Sequence, residues 1–155
     1  MGIFDAFTEI LTNDNPIKEE KNHDLSIALG VLLWIVAEED EKFLPEEEEK
    51  IREILIKRLD VNEDNLDDLI KTIRKAAKDR IDIHDFTREL NTKFNMEEKI
   101  RVIEDLFRVA FSDGNMDNYE LETIRKISHL LTIPHKDFIN SKIKISKSSE
   151  KIKNN

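Results

Sequence analysis

Between Leu25 and Ala37 the chain reads LSIALGVLLWIVA, apolar at every position except Ser26. A helix without a polar side has to be enclosed by other elements, so this stretch, entered from Asp24, is expected as the central helix of a bundle. It is too short to cross the roughly 30 Å of a bilayer's hydrocarbon core. The rest of the chain is highly charged, with 38% Asp, Glu, Lys and Arg overall, only three glycines and three prolines, and hardly any alternating β-branched residues. These proportions favour helix over strand, and the fold class expected is all-α. A chain of 155 residues suits a single domain that buries about 70% of its unfolded surface.

Several function classes fall away on composition. There is no cysteine, which excludes disulfides, thiolate metal sites and thiol redox chemistry. A net charge of −9 argues against a nucleic-acid partner, since phosphate binders show a basic face. The opening MGIFDAFTEIL has no positive n-region and carries Asp5 and Glu9 where a transit peptide would carry arginine. A cytoplasmic location is expected.

Periodicity divides the chain into eight helices. Ile3, Phe4, Phe7, Ile10 and Leu11 share one face of a first short helix, followed by NDNPIKEEKNHD as a polar linker. After the central helix, Pro45 stands at a first helical position, ahead of a stripe of Ile51, Ile54, Leu55 and Leu59. Asn62, Asp82 or its neighbour, Asn95 and Asp117 supply the next four starts, and Pro134 begins the last helix, which carries Phe138, Ile139 and Ile143. The single domain runs over 1–146, and SKSSEKIKNN has no periodicity, so 147–155 reads as a disordered basic tail.

Residues 32–55 align with a second segment at an offset of 73. The shift pairs Leu33 with Leu106, Val36 with Val109, Ala37 with Ala110, Asp40 with Asp113, Glu47 with Glu120, Glu49 with Glu122, Ile51 with Ile124, Arg52 with Arg125 and Ile54 with Ile127. Because charged positions match as well as apolar ones, the pattern points to an internal duplication. Two pseudo-symmetric three-helix repeats are expected, about 24–78 and 96–145, with the N-terminal helix and a middle helix added to them.

VAFSDGNMDNYE, Val109 to Glu120, and its reduced counterpart VAEEDEKFLPEE, Val36 to Glu47, resemble the paired motif of the tellurite resistance protein B (TerB) family. The likeness covers roughly 24–143. That family's helical module is also similar to the N-terminal part of a membrane-linked DnaJ co-chaperone. The resemblance implies a bundle of seven or eight helices with acidic residues gathered between the repeats, at positions matched here by Asp40, Glu47, Asp113 and Glu120. One position departs: Glu41 stands where the second repeat has Gly114.

If the repeats pack about a two-fold axis, those four carboxylates converge, and like charges so placed raise one another's pKa unless a cation intervenes. With only oxygen donors at hand, Ca²⁺, Mg²⁺ or Mn²⁺ is the cofactor expected. The loop is no EF-hand: counting from Asp113, Asn118 falls where glycine is required and Ile124 where glutamate is required. A purely structural reading stands beside this one. Gly114 can close a helix in the left-handed region, and Asp117 with Glu120 spells a capping box, which leaves Asp40 and Asp113 unexplained.

No catalytic residues emerge. Glu20 and His23 form a lone E-x-x-H in a polar stretch, His84, His129 and His135 are scattered without a nucleophile, and Trp34 reads as core. The chain is therefore expected to be non-enzymatic: a cation-linked module tied to tellurite or general stress response, or else a metal-independent interaction or co-chaperone-like accessory module. Its expected partner is another protein or a further copy of the chain.

Overall fold

The computed structural model describes residues 16–39, 43, 45–59, 61–79 and 82–153, with side chains between 24 and 150. Seven α-helices and no strand are found among the described residues: α1 (Pro16–Glu39), α2 (Pro45–Leu59), α3 (Glu63–Asp79), α4 (His84–Lys93), α5 (Met96–Ala110), α6 (Asn118–Leu130) and α7 (His135–Lys153). The helix expected over residues 3–11 lies outside the described residues.

The apolar stretch of α1 is enclosed as expected. Leu29, Val31, Leu32, Leu33, Val36 and Ala37 are fully buried, and α1 packs against α2, α3, α4, α5 and α6. Trp34 is core as well, with its ring 4.6 Å from Phe43, Arg74 over its face at 5.3 Å, and its Nε1 donating to Glu38 at 2.9 Å. Gly30 permits the close approach of α3: a Cβ at that position would lie 2.2 Å from Ile73 Cδ1.

Around this axis, α2 also touches α5, α4 touches α6, and α5 carries α6 and α7. Apolar stripes close the core, with the expected Ile51, Ile54, Leu55 and Leu59 buried on α2, and with Leu66, Leu69, Ile70, Ile73 and Ala77 on α3 and Ile124 and Ile127 on α6. Asn95 opens α5 through a capping box, its Oδ1 accepting from Glu98 N at 3.0 Å while Glu98 Oε2 accepts from Asn95 N at 3.2 Å.

Three local expectations need correction. The polar stretch from Pro16 is not a linker but the first turns of α1, since proline suits a helix start and the lysines and glutamates after it are good helix formers. Ile143 does not face the core and is 46% exposed; α7 is anchored instead through Phe138, Ser141 and Ile145. The segment read as a tail is helical as far as Lys153, and Ser149 Oγ donates to the Phe111 carbonyl at 3.4 Å.

Candidate functional site

Glu120 is the centre of the acidic region. Asp117 stops short of α6 in extended backbone, its Oδ1 accepts from Glu120 N at 2.8 Å, and Glu120 Oε1 accepts in return from Asp117 N at 3.3 Å. This capping box turns the Glu120 side chain inward, where it is 1% exposed. Its second oxygen, Oε2, is buried and accepts no hydrogen bond from the described residues. Burial raises the pKa of this carboxyl to about 8, and the negative charges of Asp117, Glu47 and Asp113 add to the effect.

Of the four residues singled out in the sequence, Glu120 therefore feels the charges of two others, Glu47 and Asp113. Glu47 holds the third position of α2, as Glu120 does of α6, and both are buried. Asp113 is exposed and shapes an Asx turn, accepting from Asn115 N at 3.0 Å, while Gly114 takes a positive φ of 91° just beyond it. The local turn thus uses Asp113 as well, a structural role that helix capping alone did not supply. Asp40 lies outside the described residues. Among the described residues, no three His, Asp or Glu side chains are grouped so as to hold a metal ion.

Glu98 provides an internal comparison. It too is a buried capping-box glutamate with an oxygen that accepts no hydrogen bond from the described residues, and burial raises its pKa as well. Its one acidic neighbour in this balance is Glu97, opposed by Arg101. What distinguishes Glu120 is the company of three carboxylates, those of Asp117, Glu47 and Asp113. The donor set, all hard oxygens with one buried and unused, fits a divalent cation in its chemistry.

A further buried acid, Asp105, escaped the sequence reading. Asp105 is 1% exposed and is held by Arg58 at 3.1 and 3.3 Å and by Arg108, joining α2 to α5. Burial pushes its pKa up against the pull of the two guanidinium groups. The offset of 73 offered a signal, since it pairs Asp105 with Leu32, a core position. The histidines carry no such arrangement: His84, His129 and His135 are exposed, and the side chains of Glu20 and His23 lie outside the described residues.

A single all-helical bundle wrapped around one enclosed helix, with Glu120 of α6 in electrostatic reach of Glu47 on α2 and Asp113 in the loop after α5, defines the class: a small helical module with no helix long and apolar enough to cross a membrane among the described residues. The family model of tellurite resistance protein TerB matches residues 26–143, well over half of the chain, and the chain belongs to that family. Neither the curated proteins nor the solved structures compared with it give a match.

Proposed function

We propose that the chain is a non-enzymatic TerB-type cytoplasmic protein that binds Ca²⁺, Mg²⁺ or Mn²⁺ through the acidic junction of two repeats and serves tellurite or general stress response. The observation that carries this reading is the buried Glu120 Oε2, which accepts no hydrogen bond from the described residues and lies among the charges of Asp117, Glu47 and Asp113. Glu120, Glu47 and Asp113 would be ligands, with Asp40 as the fourth. The repeat reading is supported by the matched burial of Leu33 with Leu106, Val36 with Val109, Ile51 with Ile124 and Glu47 with Glu120. A bound cation replaces the Glu120 proton, because an adjacent positive charge favours the ionised carboxylate.

The test is calorimetric titration of the full chain with each ion near pH 7, in two buffers of different ionisation heat. Binding accompanied by proton release is expected, together with stabilisation of about 2.7 kcal/mol at a hundredfold excess over Kd. Asp113→Asn and Glu120→Gln should both lose the response. Millimolar Ca²⁺, Mn²⁺ and Mg²⁺ that all leave the wild-type melting curve unmoved would overturn the reading. They would favour instead a metal-independent interaction module, which the Asp117 capping box and the Asp113 turn support.

A further inference from the structure

A cleft of about 480 Å³ opens between the outer face of α2, the loop after α5 and the last turns of α7. Phe111 and Ile145 form its floor, and Glu46, Glu49, Glu53 and Asp113 stand along its rim. Its two basic residues are already engaged: Lys50 pairs with Glu53 at 3.3 Å, and Arg108 pairs with Asp105 and, at 3.6 Å, with Glu104. Glu46, Glu49 and Asp113 have no basic partner among the described residues. Among the described residues the uncompensated charge of the cleft is therefore all negative, and it borders an apolar surface.

We propose that this cleft is the docking site of a basic amphipathic helix from a partner protein. An apolar side chain of that helix enters over Phe111 and Ile145, and lysines or arginines on its flanks meet Glu46, Glu49 and Asp113, the helix-in-groove mode with charges that steer the encounter. The apolar floor has no use for a metal ion. Residues 1–15 of the chain itself suit the cleft poorly, because they carry Asp5, Glu9 and Asp14 and no lysine or arginine. With Asp113 engaged by a cation, Glu46 and Glu49 still supply the negative rim, so the proposal does not depend on cation binding at Glu120.

Fluorescence anisotropy on the full chain tests it, with a labelled helical peptide of leucine and lysine as probe and a scrambled peptide of the same composition as control. The amphipathic peptide is expected to bind about tenfold more tightly than the scrambled one, and Glu49→Lys to weaken it about tenfold, with little change for Asp85→Lys, a charge reversal at an exposed position of α4 away from the cleft. Ser148→Trp, which fills the cleft from an exposed position, should abolish binding with the melting curve unchanged. Four results would overturn the proposal: equal binding of the two peptides, equal losses in Glu49→Lys and Asp85→Lys, displacement of the probe by a peptide of residues 1–15, or a solution mass that doubles with concentration in wild type but not in Ser148→Trp.

Discussion

Gly30 shows how packing reverses an intrinsic preference. Alanine is favoured over glycine within a helix by about 1 kcal/mol, yet a methyl group here would drive into Ile73. Gly30→Ala is therefore expected to destabilise the protein by about 1–3 kcal/mol in urea unfolding, the usual range for overpacking. Thr132 presents the opposite case. It ends α6 with φ at 58°, Thr132 N donates to the His129 carbonyl and Ile133 N to that of Ser128, a Schellman closure usually built on glycine. Left-handed backbone costs an L-residue about 1–2 kcal/mol, so Thr132→Gly should raise stability by up to about 1 kcal/mol. The gain is limited by the lost contact of Thr132 Oγ1 with Lys99 Nζ at 3.5 Å. Neither position was legible beforehand, because a close approach belongs to two helices at once and a threonine carries no mark of positive φ. Glu47 and Glu120 could be picked out through their offset of 73, but the third acid beside Glu120, Asp117, was read only as a cap.

Where a helix has both an apolar stripe and a terminal signal, its existence was readable, as at Pro45, Asn95 and Asp117. Ends without a stripe were not. The lysine-rich close of α7 and the polar opening of α1 have no periodicity to betray them, and each is helical in continuation of a segment that does. The hold of α7 is concentrated in Phe138, Ser141 and Ile145, whereas Lys147, Ser148 and Glu150 are exposed. Ending the chain after Ser146 is accordingly expected to change stability by less than about 1 kcal/mol, in keeping with the small contribution of exposed positions. Ile145→Ala should cost about 2–4 kcal/mol through the cavity it leaves. Chemical denaturation of the two variants checks the contrast.

At the level of the whole molecule, the raised pKa of Glu120 becomes a dependence of stability on pH. Between its ordinary value of 4.5 and about 8, the unfolded chain releases the Glu120 proton while the folded chain keeps it. The unfolded state then binds fewer protons, so this contribution is fully present below pH 4.5 and is lost as pH rises through 8. Glu120→Gln removes the dependence: wild type and variant should match near pH 4.5, and the variant should be the more stable near pH 8.5 by on the order of 3 kcal/mol. Thermal melts at the two pH values, without divalent cations, measure it. The enclosure of α1 has its own consequence. Because this helix touches five others, no half of the chain can hide it. The amides from Leu29 to Ala37 should exchange hydrogen only through opening of the entire bundle, at the global unfolding free energy, and a gene fragment that encodes either half alone should yield a chain with no folded state to purify.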